Sequence, residues 1–107
     1  MRASFRVEIA VQAEADLRAI HDHIAQDKPK AATKWLRDTL AAIRSLRSLP
    51  YRHEAIPEAA ELGLERRHLI RGNYRIIYRV EAQRVRVLRV LHAAQRLTQR
   101  LLRDEPP

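Results

Sequence analysis

The sequence predicts an α+β fold in the order β-α-α-β-β-β, an antiparallel sheet core with an N-terminal helical hairpin packed on one face. Three observations carry this expectation. Phe5, Val7 and Ile9 alternate with Arg6, Glu8 and Ala10, the period-two pattern of a half-buried strand. Ala13, Leu17, Ile20 and Ile24, then Ala32, Trp35, Leu36, Leu40, Ile43 and Leu46, recur at the spacing of two amphipathic helices. Two runs rich in β-branched residues and tyrosine, Tyr74 to Val80 and Arg84 to His92, flank the short polar connection Glu81-Ala82-Gln83, which predicts a β-hairpin.

The first helix is expected from about Gln12 to Gln26. The second starts near Pro29, where a first-turn proline is tolerated, and ends before Pro50. So short a connection between them predicts an antiparallel pair. Tyr51 to Gly63 has no clear period and reads as a connection with room for one helical turn. Arg66 to Ile70 is expected as a strand, turned by Arg71-Gly72-Asn73 into the next. In that strand Tyr74, Ile76, Tyr78 and Val80 share one parity, and Arg75, Ile77 and Arg79 the other. In the last strand Leu88 and Val90 break the parity of Val85 and Val87, so it is either buried on both faces or bulged. Gln95 to Arg103 suggests a short closing helix, and Pro106-Pro107 a frayed end. With the helices on one side, the other sheet face is expected to be left for a partner.

A chain of 107 residues is one domain, 1–107, with a single modest core. Its formal charge of +8 is unevenly placed. Residues 1–65 hold ten bases and ten acids, whereas residues 66–103 hold eleven arginines against Glu81. Such asymmetry points to nucleic acid, a membrane surface or an acidic protein partner. Arginine supplies all but Lys28, Lys30 and Lys34 of the basic set, and its planar, always-ionised fork suits phosphate and carboxylate. No cysteine is present, the N-terminus lacks the apolar region of a signal peptide, and no run approaches a membrane span. A soluble cytoplasmic protein is expected.

The words Gly72-Asn73-Tyr74-Arg75-Ile76-Ile77-Tyr78-Arg79-Val80 and Val87-Leu88-Arg89-Val90-Leu91-His92 carry a resemblance. So do Ala13-Glu14-Ala15-Asp16-Leu17, Ala32 with Trp35, and Ser48-Leu49-Pro50. Together they resemble the RelE/ParE toxin superfamily of type II toxin–antitoxin systems over nearly the whole chain, with a more ParE-like ending. The resemblance implies a cytoplasmic, growth-inhibiting toxin neutralised by a cognate antitoxin with an acidic, amphipathic C-terminal segment. ParE-like members are associated with inhibition of DNA gyrase by protein–protein contact. RelE-like members are ribosome-dependent, metal-independent mRNA endonucleases.

The endonuclease alternative needs a base for the RNA 2′-hydroxyl, a cation for the phosphorane and an acid for the leaving oxygen. The resemblance offers Arg75 for the phosphate, with Arg66, His68 and His92 around it. It also departs from the RelE pattern, because Ala93, Ala94 and Gln95 follow the last strand and no tyrosine follows Tyr78. The gyrase class requires no such constellation, and the Arg-Val-Leu-His ending suits it. A plain RNA-binding domain fits less well, since the parity of Tyr74 and Tyr78 turns them to the core.

Arg71, Arg75, Arg79, Arg86, Arg89 and Trp35 are the candidates for binding target or antitoxin. Trp35 lies on an apolar stripe and is otherwise core. His92 at a strand end serves equally to hydrogen-bond the backbone. His21 and His23, two residues apart on a helix, point to different sides and form no metal pair. Gly72-Asn73 is a turn signal without the glycine pattern of a phosphate loop. No cofactor and no metal are expected.

Overall fold

A computed structural model describes residues 4–103; Pro106-Pro107 lie outside them. The chain runs β1 (Arg6–Ile9), α1 (Val11–Ala25), α2 (Pro29–Arg44), α3 (Pro57–Ala60), β2 (Arg67–Arg71), β3 (Tyr74–Glu81), β4 (Arg84–His92) and α4 (Gln99–Arg103). The strands form one four-stranded sheet in the order β1-β4-β3-β2. β2, β3 and β4 are antiparallel neighbours, and β1 joins the far side of β4 in parallel, with Val7 beside Val85. The sheet is therefore mixed. Parallel addition follows from the helical hairpin, whose length carries the chain back across the sheet before β2 begins.

Pro29 opens α2 without loss of a helical hydrogen bond, and the Lys34–Asp38 pair braces its exposed side. The stripes of both helices pack on one sheet face. Ala13 and Leu17 of α1 and Ile43 of α2 join Leu46, which follows α2, and Leu69, Ile76, Tyr78, Val80, Val85, Val87 and Val90 of the sheet in the main core. The Tyr78 hydroxyl donates to the Pro50 carbonyl, so the deepest polar atom of that core is satisfied. Burial pushes the Tyr78 pKa up to about 12.

The other sheet face is not wholly open. Ile77 and Leu91 form a second, smaller core with Ile56 and Ala59 of the α3 segment and Leu102 of α4. The expectation of a face left for a partner is thus corrected: apolar Ile77 and Leu91 interrupt the arginines there, and the chain covers them itself.

The parity break in β4 has both of the proposed causes. Tyr78 pairs with Val87 and Ile77 with Arg89, so Leu88 is an extra residue in the ladder. Val87 and Val90 consequently reach the same core although they are three residues apart, and Leu88 is buried too. The bulge also sets the attachment of α1. Beyond Ile9 the edge of β4 is no longer covered by β1, and Asp16 of α1 takes over: its Oδ2 accepts the Val90 N–H at 2.9 Å. The same carboxylate takes Arg89 in a two-point grip, Nε to Oδ2 at 2.8 Å and Nη2 to Oδ1 at 3.0 Å.

The two hairpin turns differ in chemistry. Gly72 adopts a positive φ of 58° without steric cost, whereas Ala82 holds φ 54° with a Cβ. Ala82→Gly is expected to raise stability by about 0.5–1 kcal/mol, the relief of left-handed strain less the glycine entropy, measured by urea denaturation. Asp16→Ala, which strands a largely buried guanidinium and frees a backbone N–H, is expected to cost about 2–3 kcal/mol in the same assay.

Candidate functional site

The arginines of the C-terminal half occupy three environments. Arg66, just before β2, is buried; its Nε donates to the Leu102 carbonyl at 3.1 Å and its Nη1 to the Glu65 carbonyl at 2.9 Å. It pins α4 to the sheet. Arg89 is held by Asp16. Arg75 is half-buried rather than solvated: Nη2 donates to the Ala93 carbonyl and Nη1 to His68 Nδ1 at 3.3 Å. The open-face expectation for Arg75 is corrected accordingly, because the strap after β4 folds back over it.

His68 and Arg75 are brought together by register. His68 pairs with Ile77 and Ile70 with Arg75, so the two side chains are diagonal neighbours on the face away from the hairpin. His68 is buried, and desolvation, followed by the Arg75 charge, lowers its pKa below the ordinary histidine value; Glu54 and Glu58 oppose this more weakly. Since Arg75 donates to Nδ1, the neutral ring keeps its proton on Nε2, which faces Glu54 at 3.9 Å. His53, nearby, is also shifted down, by burial first and then by Arg52 and His68.

His92 stands elsewhere. It pairs with Tyr74, the two rings 5.5 Å apart, and its Nδ1 accepts the Ala94 N–H at 3.1 Å. The four candidates for phosphate chemistry are therefore not arranged around one point. Arg66 is committed to the α4 carbonyl, His92 belongs with Tyr74, and only His68 and Arg75 meet, each occupied by the other. Tyr78, the last tyrosine of the sequence, is buried on Pro50.

Trp35 is half-buried and packs edge-on against Tyr74 at 5.3 Å. Both line an open hollow of about 690 Å³ between the far end of the hairpin and the β2–β3 turn, with Ile24, Asp38, Arg71 and Asn73. Lys34, hydrogen-bonded to Asp38 at 2.6 Å, holds that carboxyl below the usual range, and Arg71 at 3.7 Å adds to the effect. Arg79 and Arg86 face each other across β3 and β4, with Arg79 paired to Glu81. Asp16, Asp38 and the Ala93 carbonyl escaped the sequence reading. Asp16 lies one residue off the apolar stripe, where a solvated acid is the ordinary expectation, and a backbone carbonyl leaves no sequence signal. Among the described residues no cluster of His, Cys, Asp or Glu could hold a metal ion, and no helix is long and apolar enough to cross a membrane.

Over residues 7–97 the sequence matches the family described as the ParE toxin of the type II toxin–antitoxin system parDE. The chain belongs to the ParE toxin family. It is the toxin component of a type II toxin–antitoxin system, within the RelE/ParE superfamily. No curated relative matches it in sequence. Its fold is similar to that of the chromosomal ParDE toxin–antitoxin system from P. aeruginosa, with a TM-score of 0.67 and 21% identity, covering 85% of this chain and 98% of that one. The toxin–antitoxin complex RelBE2 from Mycobacterium tuberculosis is similar at a TM-score of 0.59 and 21% identity, covering 89% of this chain and 98% of that one. At such identity the likeness is one of fold.

For this ParE-family toxin the lowered pKa values of buried His68 and half-buried His53 predict a pH dependence. A histidine whose folded pKa lies below its unfolded value of about 6.5 is protonated more readily in the unfolded chain, so its contribution is complete above that pH and is lost as pH falls below it. The melting temperature is expected to drop between pH 7.5 and pH 5, and His68→Gln to flatten the slope, with His53 carrying the remainder. Thermal melts across that range, above the titration of ordinary carboxylates, check it.

Proposed function

We propose that the chain inhibits DNA gyrase by protein–protein contact and is neutralised by a cognate antitoxin. The match to the ParE toxin family over residues 7–97 carries this reading. The side-chain geometry supports it. The alternative, cleavage of messenger RNA on the ribosome, asks for a base, a cation and an acid about one phosphate. Here Arg66 and Arg75 donate to backbone oxygens, His68 Nδ1 is taken by Arg75, and His92 bonds its own strand end.

The hollow at Trp35 and Arg71 is the proposed antitoxin contact. It offers an aromatic wall with a cationic rim, suited to an acidic amphipathic segment that orders on binding. Arg79 and Arg86 lie away from it on the opposite sheet face, and Arg75 and Arg89 act first as braces.

The test is a supercoiling assay with purified gyrase and the toxin, alone and mixed with the product of the neighbouring reading frame. Supercoiling is expected to fall with toxin and to recover when that product is added. Intact supercoiling, with message cut at defined positions on programmed ribosomes, would establish the endonuclease instead.

A further inference from the structure

The end of the sheet nearest the β3–β4 turn carries like charges directly across its ladders. Arg6 of β1 stands beside Arg84 of β4, and two residues along on the same face Arg86 stands beside Arg79 of β3. Only Glu8 beside Arg86 and Glu81 beside Arg84 lie among them in the paired strands, and Glu81 is engaged by Arg79. Like charges directly opposite each other in a sheet are unfavourable. Two adjacent rungs of them, Arg6 and Arg84 both exposed, make a surface whose charge is complemented by a polyanion.

We infer that this end of the sheet, built on Arg6, Arg84, Arg79 and Arg86, docks the phosphate backbone of duplex DNA. Spacing and composition both favour that occupant. The rungs are about 6.7 Å apart, a distance spanning about two phosphates of one strand along a duplex axis. No Phe, Tyr or Trp side chain shares this face among the described residues, and His68, which does, is buried against Arg75. Tyr74 and Tyr78 have the opposite parity, Trp35 lies in the helical hairpin, and Phe5 packs with Tyr51. Single-stranded nucleic acid requires stacking platforms, so a face of guanidinium groups alone suits a backbone whose bases are already stacked. The match of the rung spacing to two steps of about 3.4 Å along one strand of duplex DNA is the ground for naming DNA. The contact is electrostatic and independent of base sequence.

The experiment is fluorescence anisotropy of a labelled, mixed-sequence DNA duplex titrated with the full-length toxin over a series of salt concentrations. Arg6→Gln with Arg84→Gln is expected to weaken binding at least tenfold at low salt and to reduce the slope of log affinity against log salt by about 2. Arg79→Gln with Arg86→Gln is expected to do the same; circular dichroism verifies its fold, and the exposed first pair keeps the test decisive if the second unfolds. Arg37→Gln with Arg44→Gln, an equal charge change on the exposed side of α2, is the control and is expected to have a much smaller effect. No binding to the duplex at low salt would overturn the inference. So would an equal loss from the α2 control, or poly-glutamate binding more tightly than the duplex at matched charge and salt, which would make the site a reader of acidic polypeptide. The assay contains no gyrase, so its failure leaves the proposed target standing.

Discussion

The grip of Asp16 on β4 is the interaction on which the arrangement depends. A helical hairpin that follows an edge strand has to be fixed over the sheet at a defined height, and nonpolar contacts alone set height loosely. Asp16 fixes it by reading two things at once, the Val90 N–H and the Arg89 fork. Both are presented there because of the bulge at Leu88. Had Leu88 taken a rung of its own in a regular ladder, strict alternation would turn the Val90 side chain away from the core that Val85 and Val87 share. The carboxylate, the bulge and the end of β1 at Ile9 are thus one joint, and the alignment of the hairpin stripes with Ile76 and Tyr78 follows from it.

The same joint bears on how the cationic half is read. A composition of eleven arginines against one acid in residues 66–103 suggests a uniform binding surface, yet the structure divides them by task. Arg66, Arg75 and Arg89 hold pieces of the chain together, two through carbonyls and one through Asp16. Arg71 shares the Trp35 hollow with Asp38, and Arg79, Arg84 and Arg86 lie at the turn end with Arg6. Distance between these sets matters for mechanism. A protein that must meet both an antitoxin and a target has separate surfaces available, one on each side of the sheet.

Much of the fold was legible in the sequence, because it is written in periodicities. The alternation at Phe5 to Ile9, the two helical stripes and the paired strands about Glu81 to Gln83 each report burial directly. Even the Leu88 irregularity was visible as a break in parity. The parallel seat of β1 was not, since pairing direction depends on where the hairpin delivers the chain. The candidate site was far less legible. Parity told correctly that Arg75 points away from the hairpin core, but not that the chain after His92 returns to cover it. For Arg66 the deciding partner is the carbonyl of Leu102, thirty-six positions away. The fate of a long cationic side chain is set by tertiary neighbours, and neighbours distant in sequence leave no local pattern.

That the closing strap is held through Ala93 and Leu102 carbonyls has a consequence for how this segment tolerates change. Arg75 and Arg66 grip peptide oxygens, which every amino acid carries, so the side chain at Ala93 is irrelevant to the bond it makes. What the two anchors measure is the run of chain between them. A residue inserted or removed between Ala93 and Leu102 shifts one acceptor out of reach and uncovers Ile77 and Leu91, whereas exchanges at exposed Ala94, Gln95 or Arg96 leave both anchors in place. The tail is specified by its length more than by its spelling.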